Sequence, residues 1–132
     1  MTMAKALSIR QPWAELILQG RKNIEVRTWA TRHRGELWLH AGTRHDSRAL
    51  LRFNLTDNDL TFGALVGKCE IYSCVEFTAE TWDRWRVQHL NEGSLNERRY
   101  AWFIRNPVRI TPKRLKGRLG LMQIDTPDKG IL

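Results

Sequence analysis

Apolar positions along this chain recur mostly with a period of two or in short blocks, a pattern that predicts more strands than helices. Residues 6–9 form a first apolar block and read as a strand. Gln11 and Pro12 then open a helix, since proline near the first helical turn gives up an N–H that has no partner there. Trp13, Leu16 and Ile17 share one face of that helix, and Gly20 is placed to end it. Strands are expected over 24–29 and 36–41, with Arg34 and Gly35 in the turn between them. Residues 47–53 can make a short helix, and 54–62 read as an acidic loop. The longest strand pattern covers 64–77 and should kink at Gly67. Thr78 is a cap for a helix running through Leu90 and closed by Gly93. Further strands are expected over 100–104, 108–110 and 119–124, with breaks at Asn106-Pro107 and Lys116-Gly117. Strands with two or three helices between them predict an α+β domain, a small β-barrel rather than a helical bundle or a doubly wound sheet.

Composition narrows the class. The 132 residues suit a single domain spanning 1–132, and 42% apolar with 27% charged residues is a globular composition. No apolar run approaches the ~18 residues of a membrane span, and the first residues lack the apolar block of a signal peptide. Two cysteines make neither a disulfide framework nor a four-thiolate zinc site, so a cytoplasmic, monomeric protein without membrane association is expected. Charge changes the picture most. The net +8 is unevenly spread: residues 1–52 carry +6, 53–97 carry −5 and 98–118 carry +8. Two basic blocks flanking an acidic middle are the footprint of a nucleic-acid binder, if the fold brings the blocks together.

Candidate chemistry centres on Lys22, Glu25 and Arg27. Strand alternation places Glu25, Arg27 and Trp29 on one face and Ile24 and Val26 on the other. Lys22 would then point with Ile24, unless the turn after Gly20 re-aims it. A carboxylate between two cations can hold both in position for a phosphate or a base edge, though the spacing alone favours a structural ion-pair network. Ser8, Arg10 and Gln11 pass from the first strand into the first helix, where free backbone N–H groups can meet an anion and Gln11 can equally cap. Trp29 is a cleft wall or a stacking platform. Arg32, His33 and Arg34 form a loop suited to phosphate, while His40 reads as a strand histidine. The basic run Arg98, Arg99, Arg105, Arg109, Lys113, Arg114, Lys116 and Arg118 contains no acid and can line one sheet face as a phosphate track. Tyr100 and Trp102 share a face, more commonly used to fill a core. Cys69 and Cys74, five apart on one strand, should face opposite ways and stay reduced. The four histidines lack metal-ligand spacing, and no metal or cofactor is expected.

The segment from Leu7 to Ala14, followed by that from Gly20 to Trp29, resembles the ASCH family, the activating signal cointegrator homology domains of the PUA-like superfamily. The family pattern G-x-K-x-x-E-x-R appears here as Gly20, Lys22, Glu25 and Arg27. Gln11-Pro12-Trp13, Trp29, Thr31, His33-Arg34-Gly35 and Leu37-Trp38 follow the order of the cointegrator branch, and Lys116-Gly117 looks like the closing strand. The resemblance implies a PUA-like β-barrel whose helices surround a cleft that binds RNA or DNA. It also implies possible partners in a coregulator-like protein complex. Some bacterial relatives hydrolyse RNA or remove an acyl group from a modified cytidine, which would make Lys22, Glu25 and Arg27 catalytic. In the amidohydrolase branch a threonine stands where this chain has Glu25. A carboxylate there favours the charged, inert lysine, but another hydrolysis with Glu25 as base remains open.

Overall fold

The computed structural model describes residues 3–127. Its strands are β1 (Met3–Gln11), β2 (Ile24–Arg27), β3 (Gly35–His45), β4 (Ala64–Glu76), β5 (Tyr100–Arg114) and β6 (Leu121–Asp125). Four short helices connect them: α1 (Trp13–Leu18), α2 (Ser47–Arg52), α3 (Ala79–Arg84) and α4 (Arg86–His89). The region read as an acidic loop contains a 3-10 turn at Asp57–Asp59. The strands make one sheet in the order β2-β5-β4-β3-β1-β6. Neighbours are antiparallel except β1 and β3, whose parallel pairing needs the crossover through α1 and β2.

The α+β class stands, but the barrel does not close, because the end strands β2 and β6 are not hydrogen-bonded to each other. The sheet curls instead. Although β5, β4 and β3 lie between them in the sheet, β2 reaches β1 through Arg27, whose Nη2 donates to the Ser8 carbonyl at 3.1 Å. Helix α1 packs inside the curl, with Ala14 and Ile17 in one core with Leu7, Ile9, Leu37, Leu39 and Trp102. The Pro12 carbonyl accepts the Leu16 N–H at 2.9 Å, and Gly20 ends the helix region at φ +79°, a conformation that glycine adopts without penalty.

Three elements differ from their expected form. The helix expected over 78–90 is two: Trp85 departs to φ −98°, ψ 19°, and the His89 ring folds back to donate to the Trp82 carbonyl at 2.8 Å. Its start is as expected, with reciprocal bonds between Thr78 and Thr81. The two strands expected over 100–104 and 108–110 are the single β5. Asn106, at φ +55°, and Pro107 bulge opposite Cys69, beyond the last rung of β2 at Phe103, so the missing proline N–H breaks no ladder on that side. Leu119 is fully exposed, and β6 starts at Leu121. The kink at Gly67 coincides with a register shift. A further shift between Ile71 and Ser73 resets the alternation, so Cys69 and Cys74 pack against the same core rather than facing opposite ways, and both are free thiols.

Candidate nucleic-acid interface

Strand β2 is amphipathic as its alternation predicts. Ile24 and Val26 pack with Phe77, Trp82 and Ala101, while Glu25 and Arg27 face a cleft. Arg27 Nε donates to Glu25 Oε2 at 2.9 Å. Lys22 is re-aimed by the turn after α1, where its own N–H bonds to the Leu16 carbonyl. Its Nζ donates to the His89 carbonyl at 2.5 Å, lies 3.4 Å from Asn91 Oδ1 and 3.8 Å from Glu25 Oε1, and sits 4.9 Å above the Trp13 ring. Only 2% of Lys22 is exposed. Burial pulls its pKa down to about 8; Glu25 opposes this, while the charges of Arg27 and Arg52 add to it.

His89 supports this clamp. Its Nε2 donates to a carbonyl and its Nδ1 accepts the Asn91 N–H at 2.9 Å, so the neutral ring satisfies both partners. Burial lowers its pKa to about 4 despite the Trp82 carbonyl bond. Within α1, burial alone would raise the Glu15 carboxyl, but hydrogen bonds from Arg109 and Gln19 outweigh it and hold the group below its ordinary value.

Lys22, Glu25, Arg27, Trp13, Trp29 and Asn91 line a cleft of about 360 Å³. Ser8, Arg10 and Arg27 also belong to a broader trough of about 900 Å³, so the two spaces share a wall. Arg44, Arg114, Lys116 and Arg118 complete the cationic lining of the trough, which contains no Asp or Glu. The two basic blocks of the sequence therefore meet here, the first through the ends of β1, β2 and β3 and the second through the end of β5 and the segment after it.

The remaining sequence candidates divide. Arg99 lines the cleft, and Trp29 forms its wall, edge-on to Trp102 at 4.7 Å. Tyr100 and Trp102 belong to the core. Gln11 is a buried cap: its Oε1 accepts the Glu15 N–H at 3.0 Å and its Nε2 donates to the Thr61 carbonyl. Arg32, His33 and Arg34 line neither space. The ring of His33 bonds the Glu36 carbonyl, and Arg34 Nη1 donates to the carbonyls of Thr31 and His33. The basic track is also shorter than expected, because acids absent from the run itself reach it from elsewhere. Arg98 pairs with Glu76, Arg99 with Glu97, Arg105 with Glu70 and Arg109 with Glu15. Lys113 borders a separate hollow beside Met122 and Ile124, leaving Arg114, Lys116 and Arg118 of the run in the trough. Sequence reasoning missed Arg44 and Asn91. Charge could have flagged Arg44, but Asn91 arrives from the loop after α4 with no local signal. Among the described residues no group of three or more His, Cys, Asp or Glu could hold a metal ion.

The fold that carries this site is one shared by a known family. The ASCH domain model matches residues 7–116, and the chain belongs to that family. Among individual proteins it is similar to activating signal cointegrator 1 of Homo sapiens and of Mus musculus, 27% and 26% identical over 91% of this chain. The chain spans 22% of the length of those curated relatives. The crystal structure of ASCH from Zymomonas mobilis shares the fold, with a TM-score of 0.67 at 15% identity, covering 92% of this chain and 87% of that one.

Proposed function

We propose that this domain binds nucleic acid, RNA or DNA, seating one nucleotide in the Lys22–Glu25–Arg27 cleft and laying the backbone in the trough. The observation that carries this reading is the shared wall. Ser8, Arg10 and Arg27 join a cleft of small-ligand size to a trough whose charged lining is entirely cationic. Glu25 organises the cleft by holding Arg27 and facing Lys22, while Trp29 offers a flat apolar wall. A second reading, a metal-independent hydrolase acting on RNA or a modified cytidine, draws support from Lys22. An amine with a pKa near 8 is partly neutral at physiological pH, so it could act as base or nucleophile beside Glu25.

Titration of single- and double-stranded RNA and DNA at several salt concentrations tests the first reading. Each neutralised phosphate should contribute a log–log salt slope of about −0.7 to −0.9, and a slope near zero would sink it. Glu25→Gln should preserve or raise non-specific affinity, because it adds positive charge, yet weaken binding of a single nucleotide by roughly tenfold as the preorganised donors are lost. Unchanged nucleotide binding in that variant would leave the basic surface without a pocket. Turnover of RNA or acetylated cytidine in chelator, lost in Lys22→Ala, would promote the second reading.

A further inference from the structure

Ser8, which borders both cleft and trough, also forms a polar pair with His40. Ser8 and His40 are rung partners on the parallel strands β1 and β3. Ser8 Oγ lies 3.0 Å from His40 Nδ1, and His40 Nε2 lies 2.5 Å from the Leu115 carbonyl. A carbonyl oxygen only accepts, so Nε2 carries the proton of the neutral ring. Nδ1 is then an acceptor, and the Ser8 hydroxyl donates to it. The ring is 1% exposed and fixed by its surroundings, whereas Ser8 borders both spaces. Two glycines flank the pair. A Cβ on Gly42 would lie 3.3 Å from Ser8 Oγ, and one on Gly117 would lie 2.9 Å from it and 2.8 Å from His40 Cε1. Neither glycine has a left-handed φ, so the missing side chains serve close approach to the pair rather than backbone conformation.

A hydroxyl that donates to a buried imidazole, whose other nitrogen is held by a third group, is the arrangement that activates a serine nucleophile. We propose that Ser8 and His40 form a nucleophile–base pair that hydrolyses acyl esters of nucleotides. As Ser8 Oγ bonds to the acyl carbon, its proton passes to His40 Nδ1. The adduct collapses with cleavage of the ester C–O bond, and Nδ1 gives the proton to the departing alkoxide. Water then attacks the acyl-serine while Nδ1 takes its proton. The bond from Ser8 to the acyl carbon breaks, the carboxylic acid leaves, and the proton returns to Oγ. Arg10 borders both spaces and has no hydrogen-bond or ion-pair partner among the described residues, which leaves its guanidinium for the developing oxyanion. The choice of a nucleotide ester rests on the trough as a phosphate site; the pair itself does not.

A fluorophosphonate probe, which needs no phosphate site, should modify Ser8 in the folded protein, as located by peptide mass spectrometry. Labelling should vanish in Ser8→Ala and slow about a hundredfold in His40→Gln, whose amide can still meet the Leu115 carbonyl. If Ser8→Ala does not fold, Ser8→Cys serves instead: iodoacetamide should alkylate that thiol faster with His40 present than with His40→Gln. The parent protein should also hydrolyse an O-acetylated nucleoside monophosphate or an oligonucleotide acetylated at its end. Whichever is turned over faster identifies the source of the ester. Reversing Lys116 and Arg118 to Glu should raise KM for that substrate. No adduct on Ser8, or equal rates with and without His40, would reduce the pair to a strand latch and overturn the proposal. Labelled protein that binds no nucleic acid would instead overturn the trough.

Discussion

Lys22 is where burial and charge conflict most directly in this molecule. An ammonium with 2% exposure is retained beside the Glu25 carboxylate, the His89 carbonyl and the Trp13 ring, and its pKa still falls from 10.5 to about 8. The linkage has a definite sign. Between pH 8 and 10.5 the unfolded chain holds this proton and the folded chain has released it, so stability rises with pH across that window. The full rise is about 3 kcal/mol, at about 1.4 kcal/mol per pKa unit. Urea denaturation of the parent and of Lys22→Met at about pH 7.5, about 9 and about 10.5 checks this, since other titrating groups are common to both. The parent's stability should climb relative to the variant, and parallel curves would contradict the buried-lysine reading. Sequence alternation revealed the facing of Glu25 and Arg27 because neighbours two apart on a strand decide it. It could not reveal Lys22's aim, because the partners that set it, His89 and Asn91, lie 67 and 69 residues along the chain.

At the scale of elements, β4 and β5 show how local irregularity lets one long ladder carry the site. Their register shifts three times, at Leu65/Gly67, Lys68/Glu70 and Ile71/Ser73. At the first of these, α1 and β5 press directly onto bare backbone: a Cβ on Gly67 would lie 2.4 Å from Leu18 Cδ2 and 2.5 Å from the Val108 carbonyl. Leu18 can rotate, but the carbonyl belongs to the ladder and cannot move without breaking it. Gly67→Ala should therefore destabilise the fold by about 2 kcal/mol or more, measured as a lower urea midpoint. A neutral effect would mean that β5 can slide there. The kink itself was legible from a glycine inside a strand pattern. The continuity of β5 was not, because Asn106-Pro107 reads locally as a break. Pro107 is tolerated because β2 stops before reaching it, a fact about strand length elsewhere. The split of the helix at Trp85 was equally hidden, since it depends on where the His89 ring finds its acceptor.

For the whole molecule, pairing turns a net charge into a directed one. The acids of the middle segment neutralise Arg98 and Arg105 across the β4–β5 ladder, leaving positive charge concentrated around the trough. The block structure of the sequence located both basic ends, but the cancellation depends on a register no composition reveals. Reversing Arg114, Lys116 and Arg118 to Glu should weaken nucleic-acid binding for all sequences alike and flatten the salt slope by roughly 0.7 for each phosphate no longer neutralised. Reversing Arg98 and Arg105 should change the slope little, and calorimetric or fluorescence titration of both triple and double variants distinguishes them. Equal effects would mean that binding follows total charge rather than the trough. One rung of the sheet has a further consequence of a topological kind. Met3 and Asp125 are paired across β1 and β6, so the chain enters and leaves the described fold at adjacent points, roughly 5 Å apart. A pull applied in opposite directions at this rung would therefore load the β1–β6 hydrogen bonds one pair at a time, so this edge of the sheet should unzip at low force rather than resist in shear.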